Sequence, residues 1–361
     1  MFIKSFEYED LRTGWKLERT EFDAFNLLVG NSGVGKTKIL RALTSVAGLA
    51  LGRTFMDFRW RLEFSRHGAN YVWSGTVARD RSVPAFTEEL LSSDRTTLFS
   101  RTGGQFVFQG AELPRLSHRI SGLELLSEEE SIRPLRDSLG DLFIQSEVPP
   151  RPLHVTRYSG DSPAAQNLAE LISARKAEPL HILEIAYIVF SGLPEIWRGI
   201  VDAFCAIFTT VEDVAVLRAN SEGDDTTTYA LELVEHGSPV PIPHDDIASG
   251  MSRTLGHLIE IAVAPKGAVI LIDEFENSLG ANCMPEVVRL LNSRPDLQFI
   301  ITSHHPYVIN NIPKDTWKLV QRKGSTVHVT SARDIPALQD ASHHQAYLRL
   351  VNLPEFEEGI A

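Results

Sequence analysis

The chain has only two cysteines among its 361 residues, Cys205 and Cys283. Both lie inside apolar segments, so we expect two buried, reduced thiols rather than a disulfide framework or a cysteine-based metal centre. The sequence also lacks an uninterrupted apolar run long enough to cross a bilayer. Its first residues carry acidic Glu7 and resemble a strand, which is unlike a signal peptide. We therefore expect a soluble, cytoplasmic protein with no membrane partner.

Basic residues are outnumbered. The chain has 35 lysines and arginines against 47 aspartates and glutamates, a formal net charge of −12. Non-specific binding to nucleic acid depends on neutralising phosphates with basic side chains, so this balance disfavours that class of function. A local basic patch stays open, with Arg133, Arg136, Arg151 and Arg157 as its candidates. The alternative for these arginines is a solvated, ion-paired surface.

The most specific pattern lies near the N-terminus. Residues 30–37 fit G-x-x-x-x-G-K-[ST] without a mismatch, after an apolar strand predicted at Phe25–Val29 and before a helix predicted at 36–52. Glycines allow such a loop to wrap a polyphosphate, and the backbone N–H groups of the loop and helix N-terminus face the anionic oxygens. The predicted nucleotide-binding residues here are Gly30, Asn31, Ser32, Gly33, Val34, Gly35, Lys36, Thr37 and Lys38.

Two of these side chains have predicted chemical roles. Lys36 would reach the β- and γ-phosphates, and the Thr37 hydroxyl would be a ligand of Mg²⁺. The alternative is a glycine-rich turn with a chance lysine. The strand, loop and helix follow one another in the required order, so the sequence favours an ATP site.

A second apolar strand supplies carboxylates. Residues 268–272 form a five-residue apolar run that ends at Asp273 and Glu274. Phosphoryl transfer uses such a strand beside the phosphate loop. We expect Asp273 to hold Mg²⁺, directly or through water, and Glu274 to orient the attacking water and accept its proton. An ordinary acidic turn is the alternative, but the phosphate loop favours a Mg²⁺-dependent ATP hydrolase.

The remaining pattern predicts the organisation of the chain. Alternating residues predict a hairpin over 55–80 and another around Thr102-Gly103-Gly104. The last third alternates strands and helices, which predicts a parallel sheet in an α/β fold. Other predicted elements are helices over 120–145 and 164–208 and strands near 153–157, 212–218 and 228–235. The predicted division is an N-terminal core at 1–52, an inserted lobe at 53–245 and a C-terminal core at 246–361.

Three further segments resemble motifs of ABC-type ATPases. Residues 248–254 (ASGMSRT) resemble the signature motif, residues 274–279 (EFENSL) the D-loop, and residues 299–306 (FIITSHHP) the strand and switch histidine. In this order they resemble the RecF/SMC/OLD-like branch, often described as AAA family ATPases. The resemblance implies an ABC-type P-loop ATPase head with a mixed sheet and an inserted β-hairpin plus helical lobe. It also implies ATP and Mg²⁺ as ligands.

The resemblance also implies a head-to-tail dimer with two ATP molecules between the subunits. Ser249 and Gly250 of one copy would contact the γ-phosphate held by Lys36 of the other. The apolar spacing that follows predicts Ser249 as the N-cap of a helix. In a second alignment Ala248 takes the serine position of the motif and Ser249 that of its first glycine. This alignment affects the predicted dimer and not the predicted binding of ATP.

The switch histidine has two candidates. The resemblance assigns this role to His304, which would sense the γ-phosphate and hold charge in the transition state. His305 is the neighbouring alternative. The implied catalytic residues are therefore Glu274, His304 and Lys36.

The implied output is control of a separate protein. After the switch segment only residues 314–361 remain, whereas a fused nuclease domain needs roughly 100 residues or more, so we expect none. Compact ATPases of this kind resemble the ATPase subunits of prokaryotic anti-phage systems, which control an effector such as a nuclease. One alternative is a RecF-like DNA-repair clamp that binds DNA directly, which the acidic charge disfavours. Another is an ATP-bound scaffold with little turnover, which Glu274 disfavours. Assembly beyond a dimer stays open.

Overall fold

The computed structural model describes residues 1–53, 57–80, 83–94, 96–144, 148–156, 164–177, 180–220, 226–276, 288–289, 291, 293–339 and 343–352. The chain forms two compact units. The first comprises Met1–Ile144, Lys266–Phe275 and Pro295–Ala361, and the second comprises Gln145–Pro265 and Glu276–Arg294. None of the helices in the described ranges combines the length and apolar character needed to span a membrane.

The strands and helices are numbered in chain order. The strands are β1 (Phe2–Asp10), β2 (Lys16–Glu21), β3 (Phe25–Val29), β4 (Phe58–Arg66), β5 (Ala69–Asp80), β6 (Val83–Ser93), β7 (Thr97–Thr102), β8 (Gln105–Phe108), β9 (Ala111–Leu113), β10 (Leu142–Ile144), β11 (Leu153–Thr156), β12 (Val211–Asn220), β13 (Thr226–Glu235), β14 (Ile242–Pro243), β15 (Val269–Ile272), β16 (Gln298–Thr302), β17 (Trp317–Lys323) and β18 (Thr326–Ser331). The helices are α1 (Lys36–Ala50), α2 (Gly122–Leu125), α3 (Arg133–Gly140), α4 (Leu168–Ala177), α5 (Ile182–Gly192), α6 (Pro194–Ile207), α7 (Ser249–Val263), α8 (Pro306–Asn311), α9 (Pro336–Gln339) and α10 (His343–Val351). Short 3₁₀ turns occur at His244–Asp246, Lys314–Thr316 and Ala332–Asp334.

A mixed sheet of fourteen described strands organises the first unit, in the order β10-β15-β16-β3-β17-β18-β2-β1-β4-β5-β6-β7-β8-β9. The first five strands in this order run parallel, and all four residues of β15 are buried, as expected of a strand covered on both faces. The last seven strands in this order, β1-β4-β5-β6-β7-β8-β9, pair antiparallel. The predicted α/β fold with a mixed sheet is confirmed.

Both predicted hairpins form at the predicted turns. β4 and β5 meet at His67 and Gly68, and β7 and β8 meet at Gly103 and Gly104. All four turn residues have positive φ, which glycine adopts without strain. Buried aromatic residues alternate along β4, so this strand covers the core with one face.

The structural units divide the chain at positions other than 53 and 245. Strand β4 pairs with β1 along nearly its whole length, so the hairpin strands extend the sheet of the first unit. The helical block α4–α6, strands β11–β14 and helix α7 belong to the second unit, whose core contains Val189, Phe204, Leu231 and Leu258.

Two sequence-based expectations need correction. The predicted helical stretch at 120–145 is two short helices followed by β10, because residues 142–144 pair in parallel with β15. The Cys205 side chain is only partly buried rather than inside the core. Cys283 lies outside the described residues.

A buried polar cluster anchors the end of α1. The Ser121 hydroxyl donates a hydrogen bond to the Leu49 carbonyl in the last turn of α1 (2.7 Å). The neighbouring Gly122 N–H donates to Glu89 Oε2 (2.8 Å), and a guanidinium nitrogen of Arg101 lies 3.7 Å from the same carboxylate. The helix that starts at the phosphate loop is thus tied to the hairpin strands at its other end.

The buried Glu89 carboxyl of this cluster predicts that the free energy of unfolding depends on pH. Burial raises the pKa of Glu89 to about 7, although Arg101 and hydrogen bonds to the carboxylate act in the opposite direction. In the unfolded chain the same carboxyl has a pKa near 4.5, so its contribution to stability is complete at lower pH and is lost as the pH rises through 7. Between pH 5 and 7.5 we expect wild type to lose about 2 kcal/mol more unfolding free energy than Glu89→Gln. Urea unfolding at both pH values measures this difference, and equal losses would contradict it.

Candidate functional site

Three neighbouring parallel strands bring the predicted catalytic segments to one edge of the sheet. Strands β15, β16 and β3 lie side by side and run parallel. The segment 273–274 follows β15, the histidine pair follows β16 and the phosphate loop follows β3. The carboxyl edge of such a sheet is where ligands bind in open α/β folds. All three segments belong to the first unit.

The phosphate loop turns sharply from β3 into α1. The Lys36 ammonium lies over the loop and donates hydrogen bonds to the carbonyls of Gly30 (2.6 Å) and Asn31 (3.0 Å). Val34 is buried and fixes the loop to the core, whereas Ser32 and Gly33 are exposed at its tip. The first N–H groups of α1 have no intrahelical acceptor and are available to an anion.

Two glycines of this loop are required by geometry. Gly30 has φ 150°, and a Cβ there would lie 2.5 Å from the Val320 carbonyl oxygen. Gly35 has φ 112°, and a Cβ there would lie 3.4 Å from Trp15 Nε1. The loop therefore packs tightly against β17 and Trp15 beneath it, while its tip faces outward.

Gly30→Ala is expected to lower stability clearly, because the methyl group meets backbone and cannot be accommodated by a rotamer change. We expect a loss of about 2 kcal/mol, which is a fall of about 5 °C in melting temperature. Differential scanning calorimetry measures it. The matched control is Gly14→Ala, whose φ is also positive at 69° but whose Cβ would meet no atom within 4 Å. An equal fall in both variants would contradict the steric argument.

Thr37 and Asp273 meet directly. The Thr37 hydroxyl lies 3.0 Å from Asp273 Oδ1, although the two residues are 236 positions apart. The Thr302 hydroxyl donates to the same carboxylate oxygen at 2.6 Å. The structure thus joins the phosphate loop to the carboxylate strand. A hydroxyl and a carboxylate are the hard oxygen donors that suit Mg²⁺.

Glu274 follows in an unusual backbone conformation. Its φ is 46°, in the left-handed region that residues with a side chain seldom adopt. Its backbone N–H donates to the Thr302 hydroxyl at 2.7 Å, and its side chain is exposed to solvent. Strained residues of this kind concentrate at functional sites.

The two neighbouring histidines have different structural roles. The His305 ring nitrogen Nδ1 accepts a hydrogen bond from the Tyr307 N–H (3.2 Å), which caps the start of α8. His304 is exposed at the edge of the sheet, directly after Ser303. Capping by His305 favours His304 as the residue that faces a ligand.

The signature segment belongs to the second unit. Helix α7 begins at Ser249, and its N-cap is Ala248, with no side-chain capping bond. The prediction that Ser249 is the N-cap is therefore wrong by one residue, because the chain already turns helical at Ser249. Ser249 is exposed and Gly250 is partly exposed. Residues 277–279 of the D-loop segment lie outside the described residues.

The sequence matches the model of a known protein family. The family described as "AAA domain, putative AbiEii toxin, Type IV TA system" matches residues 25–310, which include both the phosphate loop and the carboxylate strand. The chain belongs to this AAA-domain family. No curated protein matches the sequence.

Three SMC heads are among the solved structures to which this AAA-domain protein is similar. An SMC head bound to the C-winged helix domain of ScpA is 14% identical, with a TM-score of 0.51, over 92% of this chain and 97% of that one. An SMC head from Pyrococcus furiosus, bound to the C-terminal domain of ScpA, gives 14% identity and a TM-score of 0.47 over 91% and 96%. The Thermotoga maritima SMC head gives 11% and 0.44 over 92% and 99%. The first of these supports a P-loop ATPase head fold.

Sequence reasoning missed the contacts of three residues in the AAA-domain site. Thr302 touches both predicted carboxylate residues, as described above. Arg322 at the end of β17 approaches the Gly33 carbonyl with Nη1 at 3.5 Å. Lys38, predicted as a nucleotide ligand, is exposed with its ammonium 5.4 Å from the centre of the Trp15 ring. Thr302 is the last residue of the strand segment FIIT, and nothing in the sequence pattern distinguishes it from an ordinary strand residue.

Proposed function

We propose that this AAA-domain protein is a Mg²⁺-dependent ATP hydrolase whose ATP-driven head-to-tail dimerisation switches a separate effector protein in prokaryotic anti-phage defence. The observation that carries the hydrolase part is the 3.0 Å contact between the Thr37 hydroxyl and Asp273 Oδ1. It joins the loop suited to phosphate with the acidic strand that phosphoryl transfer requires.

The residues present fit Mg·ATP. Because Thr37 donates its proton to Asp273, the lone pairs of its hydroxyl oxygen remain for a metal ion. Among the described residues no group of three or more His, Cys, Asp and Glu side chains could hold a metal by itself. This suits Mg²⁺, which commonly takes one or two protein oxygens and completes its shell with phosphates and water. When bound, Mg²⁺ would neutralise charge on the phosphates.

The side chains of this chain would divide the work of hydrolysis. The backbone of Gly33 to Lys38 and the Lys36 ammonium would bind the phosphates. Glu274 would accept the proton of the attacking water, and its exposed carboxylate at the edge of the sheet is placed to reach solvent. His304 would donate to the γ-phosphate as negative charge develops.

Dimerisation is proposed from the resemblance to ABC-type ATPases. The exposed Ser249 at the start of α7 supports it, because the first N–H groups of a fifteen-residue helix can bind an anion presented by a second copy. Ala248, the N-cap residue, makes no side-chain capping bond to these N–H groups.

Effector control is proposed in preference to direct DNA binding. The family description names a toxin of a toxin–antitoxin system, which is compatible with action beside a partner protein. Two candidate basic residues are in ion pairs, Arg133 with Glu128 at 2.7 Å and Arg136 with Glu124 at 2.6 Å. Arg151 is exposed, and Arg157 lies outside the described residues.

Phosphate release and light scattering test this proposal together. Purified protein should release phosphate from ATP only with Mg²⁺, and chelation should abolish the activity. Light scattering should show a dimer with ATP and a monomer without nucleotide. Tight, ATP-dependent binding of a DNA duplex at physiological salt would instead support the clamp. A protein that binds ATP without turnover would support the scaffold.

A further inference from the structure

Residues 273–275 turn around one side chain of the neighbouring strand. Thr302 ends β16, directly beside the end of β15 in the parallel register. Its hydroxyl donates to Asp273 Oδ1 (2.6 Å) and accepts from the Glu274 N–H (2.7 Å). Its own carbonyl accepts from the Phe275 N–H (3.0 Å). A single residue thus contacts three consecutive residues of the carboxylate segment.

The hydroxyl of Thr302 uses both of its hydrogen-bonding capacities. A threonine hydroxyl has one proton to donate and lone pairs to accept with. Here the proton is committed to Asp273, so the Glu274 N–H meets a lone pair whose direction is fixed. Thr302 is fully buried, and water therefore cannot replace either bond. Because threonine is β-branched, its χ1 angle is restricted and the position of the hydroxyl is well defined.

Glu274 needs such a partner. Its left-handed backbone at φ 46° is unfavourable for a residue with a Cβ and persists only where neighbouring structure holds it. The bond from its N–H to Thr302 acts at this strained position. The turn directs the chain away from the strand immediately after Asp273. It therefore sets the backbone position from which the Glu274 side chain extends.

We propose that Thr302 is a positioning residue that fixes the orientation of Asp273 and the backbone turn of Glu274, so that one hydroxyl sets the metal-binding and the proton-accepting carboxylates together. This inference rests on the proposed function, in which those two carboxylates have these roles. Because Thr302 is fully buried, it would act through these two residues rather than on the nucleotide itself.

The test compares variants of Thr302 that keep or remove the hydroxyl. Thr302→Val preserves the shape and loses both side-chain bonds, and Thr302→Ala loses them in a smaller side chain. We expect kcat for ATP to fall about 10²-fold in both, as is typical when a catalytic group is displaced by about 1 Å. KM for ATP should stay within about threefold, because the phosphate loop is unchanged. The Mg²⁺ concentration for half-maximal rate should rise, since Asp273 loses one of its two hydroxyl donors.

Thr302→Ser restores the hydroxyl and should return kcat to within about threefold of wild type. The matched control is Thr20→Val, at a buried threonine of β2 whose hydroxyl, among the described residues, donates to the Glu18 carbonyl (3.0 Å). It should have wild-type kcat, and thermal melts of all variants identify those that fold.

The outcomes separate the two proposals. A folded Thr302→Val or Thr302→Ala variant with wild-type kcat would overturn the positioning role while leaving ATP hydrolysis in place. A serine variant as slow as the valine variant would do the same, because the hydroxyl would then not be the active feature. A wild-type protein that releases no phosphate would overturn the proposed function, and this inference with it.

Discussion

Lys36→Ala is expected to weaken binding of Mg·ATP by about 10²-fold or more, equivalent to about 3 kcal/mol. The ammonium lies over the phosphate loop, held by the carbonyls of Gly30 and Asn31. We expect it to exchange these neutral acceptors for phosphate oxygens when nucleotide binds, because a cation is attracted more strongly to an anionic oxygen than to the dipole of a neutral carbonyl. Alanine removes the cation and leaves the backbone donors of the loop.

Isothermal titration with a slowly hydrolysed ATP analogue measures this loss. The matched control is Lys266→Ala, at an exposed lysine in the turn before β15, which should bind ATP as wild type does. A second comparison is AMP, which lacks the β- and γ-phosphates. Wild type should bind AMP much more weakly than ATP, and the difference should shrink in Lys36→Ala. Unchanged ATP affinity in a folded Lys36→Ala protein would refute the assignment of the phosphate loop.

Local sequence was enough to predict the strand, loop and helix around residues 30–37. The strand, glycines, lysine and helix are contiguous, and each of them follows from backbone geometry within a short segment. Strand β3 and the start of α1 lie where the sequence predicts them. The closeness of Thr37 and Asp273 was expected as well, because both are predicted ligands of one Mg²⁺ ion, whereas their direct hydrogen bond was not predicted.

The role of Thr302 could not be predicted in this way. Its contact with Asp273 joins two residues that are 29 positions apart in the chain. That contact depends on the register of β15 and β16, and register is a property of the assembled sheet. The left-handed turn at Glu274 was missed for a related reason, since glutamate has no local preference for that conformation. The one-residue error at Ser249 reflects the weak local difference between a cap and a first helical residue.

Strand pairing, which local sequence does not determine, also explains why the two units divide the chain at positions other than 53 and 245. Hydrophobic alternation predicts the hairpin strands, but it does not indicate which sheet they join. The pairing of β1 with β4 makes them part of the sheet that carries the phosphate loop, and the cluster at Glu89 ties them to the end of α1. A change in the position of α1 would therefore also shift the hairpin strands.

Glu274→Gln is expected to lower kcat by about 10²- to 10⁴-fold while ATP still binds, because glutamine keeps the shape of the side chain but cannot accept a proton. The backbone bond from residue 274 to Thr302 and its left-handed turn are retained, so binding by the phosphate loop should be unaffected. If hydrolysis opens the dimer, this variant should accumulate as an ATP-bound dimer. Single-turnover phosphate release measures the chemical step, and light scattering after addition of ATP measures the dimer.

Glu112→Gln is the matched control, since this glutamate is exposed on β9 and lies outside the candidate site. It should hydrolyse ATP at the wild-type rate and return to a monomer as ATP is consumed. Wild-type turnover in Glu274→Gln would show that another group accepts the proton. Slow turnover without a dimer would keep Glu274 as the base but remove dimerisation from the proposed switch. The two readouts therefore test the chemistry of the strained turn and its proposed output separately, in a single variant.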